Sequence, residues 1–560
     1  MVSRRKRKSN LHIYVVLFVV AVLLTVAVLT ELKPNKEQAD LKQYFASEAG
    51  SLAVVTNDIL THEDALVNGT TPYVSVSYLE TLNPRFYFDE TEKLLLLTLP
   101  DGTVKAEEST KLNDKRVLLQ NRDGYYVLLE YAAQYTNLRW KLCQNPDRLV
   151  IRTEFGTRPV LQATEALAVR EKASVSSPIM KTLALGETVT VKEEHTDWLY
   201  VCTEDGIPGY VEAGGGYARN TVTDKPVFAE PVYQMVSTRQ GLCVAWHQIR
   251  YRDVDNDKLE ELMATATGVN VVSPTWFHLM DGNGNFDSNA KADYVGRAHA
   301  LGLDVWILVN NMDNEIYGDT LTTLFAQTSK RTALVDNLIR ETVALGADGI
   351  NVDIESLPTA AGRGFIQFIR ELSLACHERG LVLSVDNYVP SSWTAHYDRK
   401  EQGVFADYVI VMGYDEHYAG SDAGSSASLG FVVDGAVKTL ESVPAEKVIM
   451  GVPFFTRLWK GSGENLTSSL LNMAAAKEYQ LQYGLTPIWD GTLGQNTVEF
   501  TMEGAKARIW IEDAESMEAR LEALKEYRLA GLAAWRLGME TADVWPIITG
   551  YLENTTGTAD

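Results

Sequence analysis

The chain has 560 residues, with 51 Lys and Arg against 74 Asp and Glu, a formal net charge of −23. Hydrophobic residues at 46% and charged residues at 22% are ordinary values for folded domains, which excludes wholesale disorder, and the length allows three or four domains of roughly 150 residues. The acidic balance excludes nucleic acid as a partner, because neutralising phosphates needs clustered Lys and Arg.

Residues 1–10 form a basic tail around Arg4-Arg5-Lys6-Arg7-Lys8, and residues 11–30 are apolar without Lys, Arg, Asp or Glu. A run of about 20 apolar residues crosses the hydrocarbon core as a helix, and basic residues before it hold that end in the cytoplasm. The expectation is a single-pass cell-membrane anchor with everything beyond it extracytoplasmic. A cleaved signal peptide is the rival reading, disfavoured by the length of the run and the lack of a clear A-x-A site. Residues 31–45 are polar and read as a stalk.

Residues 46–156 alternate β-type runs with turn residues, as in Tyr73-Val74-Ser75-Val76-Ser77, Leu94-Leu95-Leu96-Leu97-Thr98 before Asp101-Gly102, and Tyr125-Tyr126-Val127-Leu128-Leu129. The pattern resembles the small α+β domain at the N-terminus of copper amine oxidases, without a metal motif and without implying oxidase chemistry. Residues 160–215 carry Leu185-Gly186-Glu187-Thr188-Val189-Thr190-Val191, Trp198-Leu199-Tyr200-Val201 and Gly209-Tyr210-Val211. Short β-branched and aromatic runs between turn glycines suit a small closed sheet, and this segment resembles a bacterial SH3-type β-barrel. The resemblance leaves two roles open, wall attachment and spacer. A linker follows from Gly214-Gly215-Gly216 to Pro231.

From 235 to 550 apolar runs recur with helical spacing between them. They lie at Leu242–Trp246, Val269–Val272, Val305–Val309, Ile350–Ile354, Val382–Val385, Tyr408–Met412, Val448–Val452 and Leu532–Trp535. Eight strand–helix units predict an α/β fold of the (β/α)8 TIM-barrel type, with a small inserted α+β subdomain at about 460–510 between the last two strands. A doubly wound open sheet is the alternative, but no Gly-rich phosphate turn follows the first strand. The four cysteines (Cys143, Cys202, Cys243 and Cys376) are scattered without a C-x-x-C, so neither a disulfide framework nor a metal site is indicated and no cofactor is expected.

The chemistry concentrates in Asp348-Gly349-Ile350-Asn351-Val352-Asp353-Ile354-Glu355. Strand alternation sends Asn351, Asp353 and Glu355 to one face and the apolar residues to the other, which meets the helices. Carboxylates inside a barrel are costly unless bonded or functional, and Glu355 falls at the C-terminal end of its strand, where barrel active sites are built. Two nearby acids repel, which favours a shared proton and supplies a general acid near neutral pH.

This segment closely resembles the D-G-x-x-x-D-x-E of glycoside hydrolase family 18. Further motifs fit: Met412-Gly413-Tyr414-Asp415 on the sixth strand, Gly451-Val452-Pro453-Phe454-Phe455-Thr456-Arg457 on the seventh, Trp510 to Ser516 late in the chain, and Trp535 on the eighth. The resemblance implies a retaining, substrate-assisted glycosidase in which Glu355 protonates the glycosidic oxygen and the sugar's own acetamido carbonyl attacks the anomeric carbon. Asp353 and Tyr414 hold the acetamido group. Asp415, Trp535, Asn351, Trp246 and Arg457 complete the substrate-binding set, Trp535 as an apolar plate under the ring. Asn351 stands where many chitinases have Asp, a departure expected to shift the pH optimum without loss of acid catalysis. This form resembles the subgroup of spore-cortex and peptidoglycan N-acetylglucosaminidases, so peptidoglycan glycan is the expected substrate ahead of a chitin-like polymer. A non-catalytic sugar-binding barrel is a third reading, which the retained Glu355 opposes. Trp276, Phe277 and Tyr388 are further candidate sugar platforms, whereas His247, His278 and His417 are assigned no role.

Overall fold

The apolar runs after Gly241 fold into eight parallel strands: β1 (Leu242–His247), β2 (Val271–Leu279), β3 (Asp304–Asn310), β4 (Gly349–Asp353), β5 (Val382–Tyr388), β6 (Tyr408–Met412), β7 (Val448–Pro453) and β8 (Gly531–Trp535). Each pairs with its neighbour in sequence, and β1 pairs with both β2 and β8, so the barrel closes. The computed structural model describes residues 15–22, 34–47, 51–121 and 124–556. The chain divides into two compact units, Met1–Phe86 with Ala106–Pro231 and Tyr87–Lys105 with Val232–Asp560.

In the barrel unit, Ile350 and Val352 on β4 are fully buried between sheet and helices, as alternation requires. Its helices include α1 (Thr328–Leu345) and α2 (Gly362–Glu378). Helix α1 stops at Gly346, whose φ of 70° is the left-handed C-cap that glycine adopts without strain. Gly364 on α2 lets the backbones close up, since a Cβ there would meet the Phe325 carbonyl oxygen at 2.4 Å. Between β7 and β8, a five-stranded sheet and the helix Met473–Tyr483 form the insertion. It begins with the strand Phe455–Lys460, earlier than the expected 460, and ends with Ala505–Ile511. Helix α3 (Ala514–Leu524) then returns the chain to the barrel.

Tyr87–Lys105 departs from the expected 46–156 module and packs with the barrel instead. Asp89 is fully buried, and its Oδ2 accepts from the N–H (2.6 Å) and the Oγ1 (2.7 Å) of Thr328, the first residue of α1. The Arg331 guanidinium lies 4.7 Å over the Tyr87 ring, and the Gln367 amide of α2 donates to Thr98 Oγ1 at 3.1 Å.

In the other unit, two four-stranded sheets lie between Ala53 and Arg152. A seven-stranded sheet follows from Gly156–Ala163 to Tyr217–Asp224, around a core of Leu161, Val169, Val189, Leu199, Val201 and Val211. Residues expected to be a stalk lie along this sheet. Asn35 N–H donates to Val175 O (2.7 Å), Ala39 N–H to Ile179 O (2.8 Å), and Ile179 N–H to Glu37 O (2.8 Å). The physical reason is an apolar end that a polar count overlooks: Phe45 is buried, with the Arg148 guanidinium 5.1 Å over its ring. The expected anchor over 11–30 falls mostly outside the described residues, which include only helical residues 15–22 with exposed apolar side chains. Among the described residues no helix is long and apolar enough to cross a membrane.

Candidate active site

Strand β4 delivers Asn351 and Asp353 into the barrel interior, and Glu355 sits two residues past the strand end, half-buried at the mouth. Its backbone is clamped by the buried Asn311 after β3: Asn311 Oδ1 accepts from Glu355 N–H at 2.8 Å, and Asn311 Nδ2 donates to Glu355 O at 3.0 Å. Its side chain is aimed by β5, where Tyr388 Oη donates to Glu355 Oε2 at 2.7 Å. One carboxyl oxygen is thereby engaged.

A cavity of about 170 Å³ opens here, lined by Asp353, Glu355, Asp386, Asp415, Tyr388 and Tyr414 with Trp246, Trp535, Met312 and Met412. Burial pushes the Asp353 carboxyl well above the usual carboxylate range, with Glu355 and Asp386 nearby adding to the rise. Burial raises Asp386 likewise, against the hydrogen bond from Asn351. Glu355 is raised by burial too; the bond from Tyr388 works against that and the charge of Asp415 works with it. The cavity therefore disfavours full ionisation of its carboxyls. Asp353 Oδ1 is buried without a hydrogen-bond partner among the described residues.

Sequence reasoning gathered Glu355, Asp353, Tyr414, Asp415, Trp535 and Trp246 at one end of the barrel, and all six line this cavity. Tyr414 stands edge-on to Trp246, with ring centroids 6.4 Å apart, and Trp246 stands edge-on to Trp535 at 5.8 Å. Trp246 is only 1% exposed and its Nε1 donates to Asn351 Oδ1 at 2.9 Å, so it backs the wall and is no open platform. Asn351 lies behind the lining, and Arg457 reaches the site through Asp415, 3.7 Å away. Trp276 and Phe277 are core residues, the former bonded to Asn256 and the latter packed on Phe286, because β2 runs on to Leu279 and buries both. Tyr388 lines the cavity and holds the acid. The late segment Trp510 to Ser516 closes a helix cap: Asp513 and Ser516 bond each other's backbone N–H at the start of α3.

Three residues were not foreseen: Asn311, Asp386 and the exposed Trp393, whose ring lies 5.3 Å from that of Tyr388. Alternation along β5 (Ser384, Asp386, Tyr388) carried the signal for Asp386, whereas Asn311 follows β3 in a loop with no period to read.

Residues 282–540 match the family model for Glycosyl hydrolases family 18, and residues 165–216 that for Bacterial SH3 domain. A Bacillus subtilis (strain 168) protein named "Uncharacterized glycosylase YvbX" is 24% identical over 310 residues, 54% of this chain and 90% of the relative. The "Cortical fragment-lytic enzyme" of the same organism is 25% identical over 260 residues, 43% of this chain and 59% of that relative, so the match spans about three-fifths of the relative's length. Among solved structures, a chitinase from Chromobacterium violaceum ATCC 12472 shares the fold, with a TM-score of 0.51, 24% identity, and coverage of 56% of this chain and 98% of its own.

Proposed function

We propose that this glycosidase, which carries a glycosyl hydrolase family 18 domain, cleaves β-1,4 bonds beside N-acetylglucosamine in peptidoglycan glycan with retention, using the substrate's own acetamido group as nucleophile. The observation that carries the reading is Glu355, its carboxyl raised by burial and held by Tyr388 at 2.7 Å, in one cavity with Asp353, Tyr414 and Trp535. Glu355 gives its proton to the glycosidic oxygen while the bond to the anomeric carbon breaks. The acetamido carbonyl oxygen closes on that carbon from the other side. Asp353, with its bare Oδ1, takes the acetamido N–H and balances the positive charge that develops, and Tyr414 donates to the acetamido oxygen. Water deprotonated by Glu355 then opens the cyclic intermediate, which restores both the acid and the original anomeric configuration. Trp535 supplies the apolar plate beneath the sugar ring.

Peptidoglycan is favoured over chitin by the name of the cortical fragment-lytic relative and by the bacterial SH3 domain on the same chain. The basic run followed by the apolar run at residues 11–30 supports a membrane-anchored enzyme with its catalytic unit outside the cytoplasm. The test is digestion of purified peptidoglycan and of chitin oligomers by the full chain, with products identified by mass. Release of fragments ending in reducing N-acetylglucosamine from peptidoglycan is expected, and Glu355→Gln reduces it by about 10²–10⁴-fold. Turnover of chitin oligomers alone reassigns the substrate, and full turnover by Glu355→Gln overturns the mechanism.

A further inference from the structure

We infer that Asp386 is a positioning residue that holds one proton jointly with Asp353, so that the fifth strand supplies the partner carboxyl of the reaction centre. The inference rests on the glycosidase reading and deepens it by naming a residue that works through Asp353.

The first ground is the wiring of Asn351. This fully buried amide donates to Asp386 Oδ1 at 2.7 Å and to Ser384 Oγ at 3.0 Å, while its oxygen accepts from Trp246 Nε1 at 2.9 Å and from Ser273 Oγ at 3.2 Å. Two donors and two acceptors exhaust the hydrogen-bonding capacity of an amide. Asn351 is therefore locked, and it presents an N–H to Asp386 and none to Asp353. Asp353 Oδ1, by contrast, has no partner among the described residues.

The second ground is charge. Four carboxyls line the cavity and, among the described residues, no Lys, Arg or His does. The groups that face Asp386 come from every neighbouring element: Asp353 and Glu355 from β4 and just beyond, Tyr388 from β5 itself, and Tyr414 and Asp415 after β6. Asp313, after β3, adds its charge to Asp353, and Arg457 is occupied with Asp415 at 3.7 Å. Acids gathered in so small and buried a volume cannot all ionise, so protons stay in the cluster.

Together these grounds fix where a proton of the pair rests. Before an N-acetyl sugar binds, the Asn351 N–H favours the anion on Asp386, and Asp353 keeps the proton. An N-acetyl sugar brings an amide N–H to the bare oxygen of Asp353 and favours the anion there. The O–H bond on Asp353 then breaks and one on Asp386 forms, and the pair retains one proton and one negative charge throughout. Asp353 thus becomes charged only when there is a developing cation to meet.

The experiment measures kcat/KM against pH for the full chain in detergent, on a chromogenic N-acetylglucosaminide, beside two variants. Asp386→Asn removes the negative charge that helps keep Glu355 protonated, so the alkaline limb moves to lower pH and neutral-pH turnover falls by at least about tenfold. The exchange variant Asn351→Asp with Asp386→Asn returns the carboxyl to the other end of the same hydrogen bond and restores the limb. A third measurement needs no substrate. The infrared C=O stretch of the buried protonated carboxyl keeps its intensity at neutral pH but shifts to higher frequency in Asp386→Asn, because the proton then rests on Asp353 alone and is no longer shared. A limb that keeps its position, an exchange variant that folds with the parental Tm without restoring the limb, or an unchanged infrared band overturns the inference. Failure of the parent to cleave any N-acetylglucosaminide overturns the glycosidase reading instead, and the infrared comparison still decides the shared proton.

Discussion

The bond from Tyr388 to Glu355 favours the ionised acid, because a phenol donates more strongly to a carboxylate than to a carboxyl. Removing it in Tyr388→Phe leaves burial unopposed, so the acid holds its proton to higher pH. The alkaline limb of kcat/KM is then expected to rise by about one to two pH units, given that a hydrogen bond to a charged group contributes about 1.5–3 kcal/mol. The sign is opposite to that expected for Asp386→Asn, so the two profiles together separate a bond on the acid from a charge beside it. A second residue-scale expectation concerns Asn311→Ala, which frees the backbone of Glu355. It lowers kcat more than it raises KM, since what is lost is aim and not contact with the sugar. Glu355, Asp353, Tyr414 and Trp535 were legible because strand alternation and chain motifs mark them. Asp386 and Tyr388 were legible in principle, by the same period on β5, whereas Trp276 and Phe277 misled because burial past residue 272 leaves no local trace.

At the scale of elements, the Asp89 carboxylate acts as the N-terminal cap of α1, although 239 residues separate it from Thr328. Asp89→Ala is expected to destabilise the barrel unit by about 1–2 kcal/mol, read as a lower urea midpoint at constant slope. Burial raises the Asp89 carboxyl, but its hydrogen bonds from Thr328, Glu92 and Thr91 outweigh that and hold it below the ordinary Asp value. A lowered folded-state value gives stability that is complete above the unfolded-state pKa and is lost as pH falls through the folded one, so this cap fails only in acid. In α3, Arg520 makes a two-pronged pair with Glu512, both fully buried, and its Nε donates to Ala427 O at 2.9 Å. Arg520→Met leaves that carboxylate unpaired and is expected to cost about 3–5 kcal/mol, measurable as a fall in Tm. The eight strands could be read from sequence because a parallel barrel buries both faces of each strand and leaves apolar runs. The strap at Tyr87–Lys105 could not, because its β-type pattern says nothing about which distant helix it will cover.

For the whole molecule, the basic and apolar N-terminal residues predict a partition that fractionation of cells can check. The full chain is expected in the membrane fraction, and a chain beginning at residue 34 in the soluble fraction with its turnover of N-acetylglucosaminides retained. Recovery of the full chain free of membrane, with residues 1–30 removed, would favour cleavage of the apolar run. The segment just after the apolar run sets the reach. Asn35, Glu37 and Ala39 are hydrogen-bonded beside the edge of the seven-stranded sheet, so under the anchored reading, with residues 11–30 in lipid, only three residues of sequence, 31–33, separate that run from the described segment. Three residues extend no further than about 11 Å. Under that anchored reading, the hydrogen bonds at Asn35, Glu37 and Ala39 turn a leash into a mooring line that keeps the SH3-type module close to the bilayer, where a freely swinging tether would let it range outward.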